Sequence, residues 1–382
     1  MPGFTSQDDL INQLTVNGRG YRADWQKSTF ATTAQAAGLW YSLFRGGGNP
    51  AADTIMGTGT NLSFQTLGTD SPGATAIPNG GHVGVNGDGF KVLLNAAAQT
   101  AAATVAPCVL MLVDLLGYHP ITTVTTITAQ TLINSIAFTA ANATDIITTT
   151  GYDIGSLTKV RLTTTGTLPA GLSLLTDYWT VRQSATTSKL ASTYQNAENN
   201  VTIDFTTDGT GTHTITAQLP RYSDGAGVQA FLTPTTVMGA ATPNLSIGYT
   251  NSAGTASRAT PAVLPIGNSA AAVTSIVYSG TGAGKYGPFM PLQAGDAGVR
   301  SVQTATISAS YLSGVLNLVL CKPLLTLPIT TLGVTAERDL VNQFASMPKV
   351  YDGACLAWIM LAGANTPVAS PISGHLEFGW GA

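Results

Sequence analysis

The feature that most limits what this chain can fold into is an internal duplication. Val109–Leu116, followed by Pro-Ile-Thr-Thr at 120–123, resembles Val315–Lys322, followed by Pro-Ile-Thr-Thr at 328–331, and the two tetrapeptides lie 208 positions apart. Farther on, Pro220-Arg-Tyr-Ser-Asp-Gly-Ala matches Pro348-Lys-Val-Tyr-Asp-Gly-Ala at a spacing of only 128. Leu245–Tyr249 resembles Leu376–Trp380, and Gly87-Asp88 lines up with Gly295-Asp296. A repeat of this length means that one supersecondary unit is built twice. The 80 positions by which the spacing shrinks place an extra module in the first copy. Its edges show in Thr126–Gln130, which recurs as Thr214–Gln218.

The repeated unit is β in character. Val160 and Leu162 alternate with Lys159, Arg161 and Thr163, and Val201, Ile203 and Phe205 alternate with Thr202, Asp204 and Thr206. Period-two alternation is the signature of half-buried strands. Turns such as Asn86–Gly89, Thr207–Gly211 and Ser279–Gly284 separate these runs at short spacing. Short strands with frequent Gly turns predict an all-β fold: two tandem related jelly-roll-like sandwich units with an inserted small β domain. The expected divisions are 1–80 as N-terminal helix or arm and start of the sandwich, 81–130 with 218–255 as the first repeat, 131–217 as the insert, and 256–382 as the second repeat. Short helices are expected at Thr5–Leu14, capped by Ser6 or Thr5 with Gly18 beyond its end, and at the connector after Thr335, with Pro348 past it.

Composition then narrows the function. Charged residues are 9% of the chain, against roughly 25% in an average soluble protein, while 44% are hydrophobic. Disorder needs the reverse balance, so the chain folds and its exterior is meant to be covered or coated with Thr, Ser, Asn and Gly. A net charge of −3 with no Lys/Arg-rich run gives no field to hold nucleic acid. The most basic stretch, Arg19, Arg22, Lys27 and Arg45, has Asp24 among it and reads as local pairing. Arg19 and Arg22 are nonetheless candidate contact residues on an N-terminal arm. The apolar run Val105–Gly117 is broken by Pro107 and Asp114 and is too short for a membrane span of ~20 residues. No secretory signal precedes it. Cys108, Cys321 and Cys355 sit singly in apolar runs and read as buried thiols.

Reactive chemistry is hard to find. His82, His119, His213 and His375 are isolated, and no metal-ligand spacing, nucleophile elbow or phosphate-binding loop is present. The acids matched by the repeat, Asp224 with Asp352 and Asp88 with Asp296, adjoin Gly or lie in turn sequences, where Asp serves as a turn cap. Asp88 alone makes no calcium loop. No catalytic residue, cofactor or metal is therefore expected. Trp358 belongs to an apolar run and is expected in the core. Tyr178 and Trp179, in the insert, are the candidate surface contacts.

GFTSQDDLINQ at the N-terminus, LVDLLGYHPITT in the middle and ERDLVNQFASMPKVYDGACLAWIML with GHLEFGWG at the C-terminus resemble a family of tailed-bacteriophage virion structural proteins of the capsid decoration or cement type. The likeness covers most of 1–125 and 218–382. The insert is similar to a small β module of phage structural proteins. The resemblance implies a virion component of the phage head surface, made in the host cytoplasm, without catalysis. Its partners would be further copies of itself, as a homo-oligomer such as a trimer, and the major capsid protein. A tail or head-fibre protein that touches the host through the insert is the alternative, and a tailspike-type glycan hydrolase is a third reading that lacks a convincing acid pair.

Overall fold

The computed structural model describes residues 4–29, 37–52, 64–66, 90–121, 129–239, 241, 243–260, 264–265, 276, 287–343, 347–363 and 370–381. Among them the fold is all-β, and no helix is long and apolar enough to cross a membrane. The turns expected at 86–89 and 279–284 lie outside the described residues, as do Asp88 and His82.

Two long strands, Cys108–Ile121 and Val315–Ile329, form the spine. They pair antiparallel with each other, and Asp114 lies directly opposite Lys322, the residue 208 positions away. Leu112 faces Leu325 while Gly117 faces Leu320. These are the same contact met from the two ends, because the repeat equates 112 with 320 and 117 with 325. A local two-fold axis therefore passes between Asp114 and Lys322. The flanking strands obey it: Gln229 of Gln229–Thr236 lies opposite Cys321, and Ala357 of Leu356–Ala362 lies opposite Val113. Those positions are again 128 and 208 apart.

This symmetry exchanges strands between the copies. The first copy's Gln229–Thr236 pairs with the second copy's long strand, and the second copy's Leu356–Ala362 pairs with the first copy's. The two sequence repeats thus do not fold as two separate units. Each sandwich draws strands from both. In the first sandwich, a sheet built on Phe90–Gln99, Ile372–Gly379 and Gly20–Thr29 packs over one end of the spine. Trp25, Leu93, Ala96, Leu376 and Phe378 meet Leu110, Leu112, Leu327, Trp358 and Met360 there, and the Trp25 and Trp358 rings lie 5.2 Å apart. In the second, Asn244–Asn251 and Val299–Ile307 cover the other end, with Ile247, Tyr249 and Val302 against Leu116, Leu232, Leu318 and Leu320. Full burial of each Leu, Ile, Val, Phe or Met among them contributes roughly 1.5–3 kcal/mol, before the entropy that ordering costs. The reverse face of the spine is also buried, with Val113, Leu115, Val319 and Cys321 packed beside Phe44 and Ile276. A sheet covered on both faces explains why its strands read as unbroken apolar runs. All three cysteines are buried thiols in these layers.

Inserted within the first copy is a closed six-stranded barrel, Ser135–Ala217, in the circular order 159–164, 177–182, 187–191, 146–148, 135–141, 213–217. Ile136, Phe138, Val160, Leu162, Leu190 and Ile215 fill it. Closure removes strand edges, which lets a small module carry few charges. Gly209, at a φ of +78°, sits so close to the neighbouring loop that a Cβ would lie 2.5 Å from the Thr167 carbonyl oxygen.

Two local expectations are corrected. Val201–Phe205 is extended but joins no ladder. Val201 is exposed, Phe205 is buried in the barrel core and Ile203 packs half-buried against it. Thr335 does not cap a helix: Ala336–Asp339 is a strand on Phe90–Gln99, and the helix is the single turn Leu340–Gln343, with Asp339 accepting from the backbone N–H groups of Val341 and Asn342. Pairing with Asn95–Ala98 satisfies the backbone groups that a helix would have satisfied internally, and tertiary context overrides the local preference. The N-terminal helix, Gln7–Thr15, is capped by Ser6, whose hydroxyl accepts from Asp9 N–H at 3.0 Å, and Gly18 follows it at a φ of +64°. It folds back on its own chain, with Leu10 buried and Leu14 against Gly20 and Gly379.

Candidate interaction surface

The candidate contacts read from the sequence fall in unequal places. Tyr178 stands opposite Val160 across the barrel wall and points inward, 4% exposed, its hydroxyl accepting from Ser173 N–H at 2.7 Å. It is a core residue of the barrel, which corrects its assignment as a surface contact. Its neighbour Trp179 points outward, as strand alternation requires. The ring is half-buried against a patch formed by Leu157, Val181, Ala191 and Ala197, with the Lys159 ammonium 5.7 Å from its centroid. Arg19 is half-buried and donates to the Gly381 carbonyl oxygen. Arg22 is exposed on the outer face of the first sandwich, 2.9 Å from Asp24 and 3.6 Å from Glu377. Neither arginine stands on a projecting arm, because this stretch is a sheet strand.

The acids that the repeat matches are used for structure. Asp352 binds the buried Lys91 ammonium at 3.0 Å, whereas Asp224 accepts from Ala226 N–H across a turn. Asp296 accepts from Arg258, the Tyr249 hydroxyl and the Asn251 amide, which together hold its carboxyl at about 2. Such a group stays ionised and keeps a loop in place rather than shuttling protons. Asp208 accepts from Asn142 N–H. His213 meets the Thr164 hydroxyl at 2.9 Å, His119 is buried against Phe64, and His375 lies 3.7 Å from Glu377. Among the described residues no three His, Cys, Asp or Glu side chains gather in a way that could hold a metal ion.

Two features escaped the sequence reading. The first is a set of apolar side chains at the ends of the long strands: Leu312, 74% exposed, with Val237 nearby in the fold, and Leu332 with Val334. The second is a groove of about 720 Å³ beside the local two-fold, lined by Tyr222, Tyr351, Lys322 and Lys349 among others. The signal for it was present in Cys-Lys-Pro and Pro-Lys-Val, where a rare cation breaks an apolar run beside a proline.

No protein-family model matches the chain, and no curated protein does. Among solved structures, a subviral particle of infectious bursal disease virus VP2 aligns over 78% of this chain and 83% of that one, at 9% identity and a TM-score of 0.09. A score that low carries no argument about this chain.

Proposed function

We propose that this chain is a non-enzymatic structural protein of a virus particle, a capsid decoration or cement protein that stabilises a phage head through contacts with its own copies and with the shell beneath. The observation that carries this reading is the scarcity of solvated charge on a doubled sandwich. Of a sparse complement of charged side chains, many are spent inside the molecule, in pairs such as Arg221 with Asp114, Lys91 with Asp352, Lys159 with Asp177 and Arg258 with Asp296. What remains outside is largely Thr, Ser, Ala and Gly, with apolar tips at Leu312 and Val334. Surfaces of this kind gain by being covered, and contact area supplies the stabilisation at roughly 25 cal/mol per Å² before association costs.

A two-fold doubled unit also gives a trimer six similar faces to present to quasi-sixfold surroundings. The fibre alternative drew on Tyr178 and Trp179 as a host-contact pair, and with Tyr178 inside the barrel that pair is no longer available. Sedimentation of the purified protein tests the reading: a stable multiple of the 39.1 kDa chain, a trimer first of all, is the expected result. A monomer at every concentration would remove the self-association on which the proposal depends.

A further inference from the structure

The groove beside the local two-fold has the chemistry of a docking site. One wall is Lys322–Leu324, a stretch of the second long strand beyond Cys321, where its ladder with Gln229–Thr236 begins. The other is the strand Lys349–Tyr351, whose described ladder is with Phe90–Val92. Between them the Tyr222 and Tyr351 rings meet edge to face at 5.0 Å, and Pro323, Leu324 and Pro348 complete an apolar lining. The Lys322 ammonium is held 5.6 Å above the Tyr222 ring and donates to the Ala226 carbonyl oxygen at 2.7 Å; the Lys349 ammonium stands 4.6 Å above the Tyr351 ring.

The local charge is positive. Among the described residues, two ammonium groups line the groove against one carboxylate, Asp224, which is turned to Ala226 N–H. The acid directly across the ladder from Lys322, Asp114, is fully buried and committed to Arg221. Lysines held over aromatic rings are fixed in place and lose little freedom when an anion arrives. Strand edges offer backbone groups to an extended chain, and apolar walls offer seats for its side chains.

We propose that this groove takes an extended acidic segment of a neighbouring polypeptide, with its backbone along the strand edges and its carboxylates at Lys322 and Lys349. That the neighbour belongs to a particle rests on the structural reading above. The groove's chemistry is measured without it.

The probe is a fluorescein-labelled hexaglutamate peptide, followed by anisotropy on the full chain, with labelled hexalysine as the opposite-charge control. The wild-type protein is expected to bind hexaglutamate and not hexalysine, and the affinity to fall as salt rises. The double variant Lys322→Gln/Lys349→Gln is expected to bind about tenfold or more weakly, a loss of at least one decade in Kd. Lys189→Gln, on the barrel, is expected to bind as the wild type does, and an unchanged thermal midpoint shows that each variant is folded. Absence of hexaglutamate binding to the wild type, equal binding by the double variant, or equal binding of hexalysine would each overturn the proposal. Those failures leave the oligomeric state untouched, so they are distinct from failure of the structural role.

Discussion

Arg221→Ala is expected to destabilise the protein by about 3–5 kcal/mol, the cost of breaking a buried ion pair from one side. Asp114 has no exposed surface, and its carboxylate accepts from Arg221 Nε at 2.9 Å, from a terminal guanidinium nitrogen at 2.7 Å and from Cys355 N–H at 3.0 Å. The same guanidinium donates to the carbonyl oxygens of Gly353 and Leu115. Removing it leaves a buried charge with one of these three donors and strips two carbonyls as well. The site lies on the spine between the cores of the two sandwiches, so the damage reaches both. The paired change Asp114→Leu with Arg221→Met is expected to recover much of the loss, because a well-packed apolar pair needs no desolvation of charge. Denaturant unfolding followed by tryptophan fluorescence measures both. A single variant within about 1 kcal/mol of wild type would mean that the pair is not buried as described.

The second large effect is the survival of the body after removal of the whole barrel. Excising 135–217 and joining Asn134 to Gln218 is expected to leave a folded, oligomer-competent protein. The two ends are already neighbours, since Ala217 N–H donates to the Asn134 carbonyl oxygen at 2.8 Å. A join there closes no new loop, and the entropic cost is small. The cut falls four residues later than the sequence edge at 131 suggests. Leu132 is buried in the second sandwich, and the Asn134 amide donates to the Val302 carbonyl oxygen at 2.7 Å, so those residues belong to the body. The excision also gives up the Lys159 contact with Ser223, the bond from Gln218 N–H to the Lys159 carbonyl oxygen and the close approach of the Tyr194 ring to Gly353. Near-UV circular dichroism and the unfolding midpoint of the excised protein make the comparison. Loss of the native aromatic signal would show that the barrel supports the sandwiches.

How far the sequence could be read follows from what repeats and alternation encode. The duplication exposed which residues are equivalent, but equivalence does not say which copy a strand pairs with. The exchange became visible only in register, with Gln229 opposite Cys321 and Ala357 opposite Val113. Alternation located the barrel strand around Val160 and Leu162, but it gave no parity for the neighbouring strand Asp177–Arg182. Tyr178 and Trp179 are both large aromatics, and either could fill the interior. The choice was made across the ladder, where Tyr178 meets Val160 and Trp179 meets Lys159. The connector at Thr335 looked helical because its local pattern favours a helix, and tertiary pairing with Ala96–Ala98 overrode that preference. The groove was least legible of all, since Lys322 and Lys349 come from segments that only the fold brings together.

The central claim, that contact area on a virus particle is what this chain supplies, is met most directly by imaging intact particles with antibody raised against the purified protein. Gold label is expected over the outer surface of the head. Label confined to the tail or fibres, or absent from purified particles altogether, would contradict it.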